Sequence, residues 1–216
     1  MELLSVKDEV HSDIQIAKAP NVTTPYYRGR ALMSSERFFS MIIFLFICAL
    51  FTVSVTAQVG TSTEYKFKAA YLYNFLRFVE WPHQAFADKA SPIVIGVLSN
   101  DAFSTLVEQT VNNETIRGRA VVVRRLSGIE GAKSCHILFI SRSEQKNLHE
   151  ILDMLKGKPV LTVGEIGAFA RSGGAINFYF EGNKLRFEIN PEAAKSADLV
   201  LSSKLLRLAK IVEPEK

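Results

Sequence analysis

Between Thr61 and Trp81 apolar side chains fall at most positions, and seven of them are aromatic: Tyr65, Phe67, Tyr71, Tyr73, Phe75, Phe78 and Trp81. Polar Lys66, Asn74, Arg77 and Glu80 mark only a narrow stripe. The spacing predicts a helix over 61–81 that is apolar around most of its circumference and needs cover on more than one side. Pro82 ends it, because the residue before proline is pushed out of the helical region. Such a helix is either packed between a sheet and its neighbours or offers part of its face to another chain, a task aromatic surfaces do well. On the second reading Tyr65, Phe67, Tyr71, Phe75 and Arg77 are the residues expected to meet a partner.

Beyond Pro82 short apolar runs alternate with amphipathic segments. Strands are expected at Pro92–Leu98, Ala120–Val123, His136–Ile140 and Val160–Val163. Between them lie a helix Asp101–Val111 capped by Asn100 or Asp101, a helical turn at Ser127–Ala132, and a helix Ser143–Leu155. Continuous apolar strands separated by helices imply a parallel sheet covered on both faces. The expected fold class is therefore α/β, a three-layer α/β/α domain with a mostly parallel sheet.

From Ala175 to Ile189 the pattern changes to alternation, which predicts a C-terminal antiparallel hairpin. With Gly182-Asn183 as a two-residue turn, Glu181 faces Lys184, Phe180 faces Leu185, Phe178 faces Phe187 and Ile176 faces Ile189. A slip of one residue would break every one of these pairs. Asn190-Pro191-Glu192 then reads as an N-cap, a proline at the first helical position and an acid in the first turn. A last helix, Ser203–Val212, is expected to dock Leu205, Leu206, Leu208 and Ile211 on the core.

Upstream, the apolar run Phe38–Val55 closes on Val55-Thr56-Ala57, a small-residue site of the kind at which an exported leader is cut. Met33 is the natural start of that leader, so residues 33–57 are expected to be a signal peptide, with an uncleaved membrane anchor as the alternative. Residues 1–32, mixed in charge and without an apolar period, read as an over-extended gene start or a disordered tail. The folded part is then 58–216, one domain working outside the cytosol. Of the two cysteines, Cys48 falls in the leader and Cys135 precedes an apolar strand, so the mature chain has no intrachain disulfide and Cys135 is expected to be buried and inert.

The formal charge is +4, and the residues up to Ala57 carry equal numbers of each sign, so the excess lies in the folded part. Arg117, Arg119, Arg124 and Arg125 form its densest group and read as strand-end residues on a solvated surface. A weak attraction to an acidic partner or anionic surface follows, and nucleic-acid binding does not.

The search for chemistry returns near misses. His149-Glu150 begins a zinc-protease helix, but Asp153 stands where the second histidine belongs. Gly157-Lys158 lacks the first glycine of a phosphate loop, no Gly-x-Ser-x-Gly elbow occurs, and Gly164 and Gly167 do not complete a dinucleotide fingerprint. No catalytic residues, metal or cofactor are therefore expected. His83 and His136 have no visible partner. One edge remains: Gly164–Arg171 at the carboxyl end of the last parallel strand, where open α/β sheets favour ligands. There Glu165 and Arg171 would supply charge and Phe169 a stacking surface, unless the charges merely end a helix and Phe169 is core.

Lys68-Ala69-Ala70-Tyr71-Leu72-Tyr73-Asn74-Phe75 with Phe78-Val79-Glu80-Trp81-Pro82 resembles the opening of the YfiR family. Gly173-Gly174-Ala175-Ile176-Asn177-Phe178, Leu185-Arg186-Phe187-Glu188-Ile189-Asn190 and Leu199–Ala209 resemble its close, so the likeness covers nearly all of 58–216. The resemblance implies a periplasmic regulator and not an enzyme. Such a protein binds the periplasmic sensor region of an inner-membrane diguanylate cyclase and represses it, and an outer-membrane lipoprotein can draw it away. Cyclic-di-GMP, and with it biofilm and exopolysaccharide output, rises when the repressor is removed. A homodimer is expected. Characterised members use periplasmic disulfides, which Cys135 alone cannot supply within the chain. The matching motifs look structural, so they carry over no interface residues. The alternative is a periplasmic small-molecule binder using the Glu165–Arg171 edge.

Overall fold

The computed structural model describes residues 55–98 and 100–215, with side chains from residue 63 onward except that of residue 101. The expected N-terminal extension and leader, up to residue 54, lie outside the described residues. Helix α1 spans Val55–Phe78, so the expected cleavage site Val55-Thr56-Ala57 falls in its first turn. The helix also ends three residues before Trp81, the expected last position. Val79 and Glu80 leave it to form β1 (Val79–Glu80), which pairs antiparallel with Val200 and Leu201, and the Phe78 carbonyl accepts the Ser202 N–H at 2.9 Å. A β-branched residue next to a pre-proline stretch gives up the helix readily once strand partners are at hand. Trp81 instead donates its indole N–H to the His136 carbonyl at 3.1 Å.

The chain continues through β2 (Ile93–Leu98), α2 (Asp101–Val111), β3 (Thr115–Ile116), β4 (Arg119–Leu126) and β5 (Ile137–Ile140). Asn100 caps α2, its side chain accepting the Phe103 N–H at 3.0 Å. A 3-10 segment, Ile129–Ser134, links β4 to β5, and a second, Arg142–Asn147, leads into α3 (Leu148–Leu155), so the expected helix Ser143–Leu155 is α-helical only in its second half. Then follow β6 (Leu161–Gly164), β7 (Ile176–Glu181), β8 (Lys184–Ile189), α4 (Pro191–Ser196), β9 (Val200–Leu201), α5 (Ser203–Leu206) and β10 (Lys210–Ile211).

The large sheet has the order β10-β8-β7-β6-β5-β2-β4-β3, parallel except for the pairs β7/β8 and β3/β4. Alternate residues feed two cores. Ile93, Ile95 and Val97 of β2 and Ile137 and Phe139 of β5 pack with Leu72, Phe75 and Leu76 of α1, while Val94, Leu98, Leu138 and Ile140 pack with Ile151 of α3. Because successive strand residues point to opposite faces, one core lies on each side of the sheet, which is the α/β/α layering the strand pattern implied.

The hairpin pairs Glu181 with Lys184, Phe180 with Leu185, Phe178 with Phe187 and Ile176 with Ile189, the register expected from its alternation, and Gly182 takes the positive φ of +58° the turn needs. Asn190 caps α4 as read, accepting the Ala193 N–H at 3.1 Å ahead of Pro191. The last helix differs. It is confined to Ser203–Leu206, because Lys210 and Ile211 pair in parallel with Glu188 and Ile189 as β10, and the Val212 N–H donates to the Ile189 carbonyl at 2.9 Å. The outer edge of β8 thus acquires a partner, and Leu208, expected in the core, is 69% exposed.

Candidate functional site

Phe67, Tyr71 and Phe75 stand four residues apart and so share one face of α1. That face lies on the hairpin. The Phe75 ring is 5.9 Å from Phe178 and 5.3 Å from Phe187, and Tyr71 is 5.8 Å and 5.5 Å from the same two. Such ring pairs add about 0.5–1.5 kcal/mol each beyond their burial. Cover fades along both elements in the same direction: Phe75 is enclosed, Tyr71 is half-buried and Phe67 is 57% exposed, while on β7 Phe178 is buried and Phe180 is 49% exposed. Where they part, a groove of about 790 Å³ opens between Phe67 and Tyr71 on the helix and Phe180, Lys184, Leu185 and Arg186 on the hairpin.

Of the five helix residues singled out in the sequence, Phe67 and Tyr71 line this groove. Phe75 is in the core and presents nothing to a partner. Arg77 is exposed but lies elsewhere, beside Tyr73 and Thr115–Arg117 of the β3 turn. The hairpin residues were missed, and the legible signal was the Phe180–Leu185 cross-strand pair next to the turn, an apolar pair too near the hairpin tip to be covered.

Tyr65 turns toward the carboxyl edge of the sheet. The connections leaving β2 and β5 run to opposite sides there, the topological switch at which open α/β sheets hold ligands. In this molecule α1 itself fills the place. Lys68, 1% exposed, is ion-paired with both Glu64 and Glu165. Glu165, 5% exposed, also accepts the Tyr65 hydroxyl at 3.1 Å and the Arg142 N–H at 3.3 Å. Burial, reinforced by the Glu165 charge and hydrogen bond, pushes the Tyr65 phenol up to about 12. Lys68 was not singled out, although a lysine four residues after Glu64 inside an apolar helix was the available clue.

The second expected set is not gathered at an open edge. Glu165 is engaged from within the chain. Phe169 is fully enclosed rather than a stacking surface, because Gly164 and Gly174 make room for its ring: a Cβ on Gly174 would lie 2.1 Å from it. Arg171 is exposed and makes no ion pair with Glu165 among the described residues.

The remaining candidate chemistry is likewise placed. His149, Glu150 and Asp153 are exposed on α3, and among the described residues no three His, Cys, Asp or Glu side chains cluster as metal ligands. Cys135 is buried, and burial pushes its thiol up to about 11, far from a reactive thiolate. His136 is buried with Nδ1 accepting the Val94 N–H at 3.1 Å and its ring stacked 4.5 Å from Phe86, and burial holds it below the ordinary histidine value. Of the arginines of β4, Arg119 donates to the Asp88 and Ser91 carbonyls at 2.9 and 2.8 Å, Arg125 pairs with Glu108 at 2.8 Å, and Arg124 donates to the Ser134 hydroxyl at 2.6 Å.

The family model DUF4154, described as YfiR/HmsC-like, matches residues 65–210, from the tyrosine that meets Glu165 to the first residue of β10. The chain belongs to the YfiR/HmsC-like family. Membership places it among regulatory proteins of cyclic-di-GMP signalling. The match takes in α1 from Tyr65 onward and the whole hairpin, so Phe67 and Tyr71 and the hairpin residues facing them lie inside the YfiR/HmsC-like domain. No curated protein matches the chain. Among solved structures, an ABC domain in complex with L-Trp from Streptococcus pneumonia is similar at 10% identity and a TM-score of 0.40, over 56% of this chain and 55% of that one. A likeness at that level says nothing about what this chain does. Among the described residues no helix is long and apolar enough to cross a membrane.

Proposed function

We propose that this YfiR/HmsC-like chain is a periplasmic repressor that binds the periplasmic sensor region of an inner-membrane diguanylate cyclase and lowers cyclic-di-GMP output. It acts as a homodimer, and an outer-membrane lipoprotein draws it off the cyclase. The observation that carries the reading is the groove at Phe67. An aromatic side chain more than half exposed, beside a second exposed phenylalanine, Tyr71, Leu185 and Arg186, has the aromatic and arginine content of a protein-binding surface, with Glu64 and Lys184 supplying one charge of each sign beside it. The groove lies open on the surface and is walled by two rigid elements, α1 and the hairpin, which suits it to a macromolecular side chain or segment. The small-molecule alternative has less to stand on, since α1 occupies the sheet edge it needs.

The test is capture of the isolated cyclase sensor region by the purified domain, comparing the natural chain with Phe67→Asp. Because Phe67 is exposed, Phe67→Asp keeps its denaturation midpoint within the range of surface changes. Capture by the natural chain and its loss in the variant are expected. Equal capture by both would remove the groove from the account, and no capture by either would remove the cyclase.

A further inference from the structure

At the opposite side of the sheet from the hairpin, β4 is paired along one edge only for most of its length. β2 pairs with it over Val121–Leu126, whereas β3 reaches only Arg119 and Ala120 on the other side. The Val121 N–H donates outward, to the Glu114 carbonyl at 3.1 Å. By the two-residue alternation of a strand, Val123 also turns its backbone N–H and C=O outward, while Val122 and Arg124 serve the ladder with β2. Among the described residues no strand lies beyond Val123. A cleft of about 470 Å³ runs beside this edge, lined by Glu108, Asn112, Glu114 and Val121–Val123, and Val122 is 39% exposed. An apolar strand edge with space beside it is a template for one more strand.

The charges indicate what that strand is. A second copy of the chain fits badly. Antiparallel self-pairing centred on Val123 needs the Val121 N–H, which Glu114 already holds, and moving the centre to Arg124 sets two arginines directly opposite each other. Arg125 is neutralised by Glu108, but exposed Arg124 meets only the Ser134 hydroxyl, at 2.6 Å, and has no carboxylate within ion-pair distance among the described residues. We propose that the outer edge of β4 is a docking site for an extended acidic segment of another protein, added as a strand beside Val123–Leu126, beyond the Val121 N–H that Glu114 holds, with a carboxylate meeting Arg124. This surface is separate from the Phe67 groove, so the chain can hold two partners at once.

The test uses the full mature chain and a synthetic peptide of about ten alternating valine and glutamate residues, with the matching valine and lysine peptide as control. Binding of the glutamate peptide alone is expected, with slowed amide exchange at Val123. Val123→Pro removes an outward N–H without touching the β2 ladder and is expected to weaken binding about tenfold or more. Should that variant fold poorly, Arg124→Glu serves instead and is expected to reverse the preference toward the lysine peptide. Equal binding of both peptides, no binding of either, or protection of Val123 through self-association would each overturn the proposal.

Discussion

Lys68 and Glu165 are 97 residues apart in the chain and form an ion pair from which solvent is almost entirely excluded. The pair joins α1 to the loop after β6, and Glu64, one helical turn before Lys68, adds a second carboxylate from a position still open to water. Two acids and one base make an unequal set, and the inequality has consequences for stability.

Lys68→Met leaves Glu165 buried without its cation and Glu64 beside it. Removing one member of a buried pair costs about 3–5 kcal/mol. Glu64→Gln takes away only the partly exposed carboxylate and should cost under about 1 kcal/mol. Urea denaturation of the two variants is expected to separate them by this margin, and equal losses would mean that Glu64 is the principal partner.

Tyr65 extends the same cluster toward alkaline pH. Its folded value, about 12, lies above the ordinary 10.0. The folded chain therefore keeps a proton that the unfolded chain loses first. The stabilisation is complete below pH 10 and is lost as pH rises toward about 12. Stability measured across that window should decline less steeply in Tyr65→Phe than in the natural chain.

His136 acts in the opposite direction. Its folded value is held below 6.5 by burial, and the unprotonated Nδ1 is what accepts the Val94 N–H. The unfolded chain takes up the proton first as pH falls, so the stabilisation is present above pH 6.5 and is lost on acidification through the folded value. His136→Asn, whose amide oxygen can accept the same N–H, is expected to flatten the loss of stability measured by denaturation between neutral and acid pH.

Gly174 and Gly167 flank the same loop with different neighbours. A Cβ at Gly174 would press on the Phe169 ring, whereas one at Gly167 meets nothing within 4 Å. Gly174→Ala should lower stability by about 3 kcal/mol through forced repacking, and Gly167→Ala should change it little. Thermal melts of the two variants provide the comparison.

The same residues separate what local sequence specifies in this fold from what only distant partners decide. The hairpin register was legible because period-2 alternation and one turn glycine act over adjacent residues. The ends of α1 and of the last helix were not, because β1 and β10 exist only through partners far along the chain, Val200–Leu201 and Glu188–Ile189. Phe67, Tyr71 and Phe75 share one helical face, so nothing local separates the exposed ring from the enclosed one; the length of the hairpin beneath them decides it. Phe169 looked available for stacking because its enclosure depends on two glycines, one of them ten residues before the other. Glu165 was correctly placed at the carboxyl edge of β6, but its partner Lys68 comes from the opposite end of the domain.

The central claim, that this chain restrains a membrane cyclase through its Phe67 groove, is tested most directly by cellular cyclic-di-GMP. In a strain deleted for the chain and expressing the cyclase, the expected level is raised, and it returns to normal with the natural chain but not with an equally abundant Phe67→Asp variant. An unchanged level on deletion, or full restoration by Phe67→Asp, would contradict it.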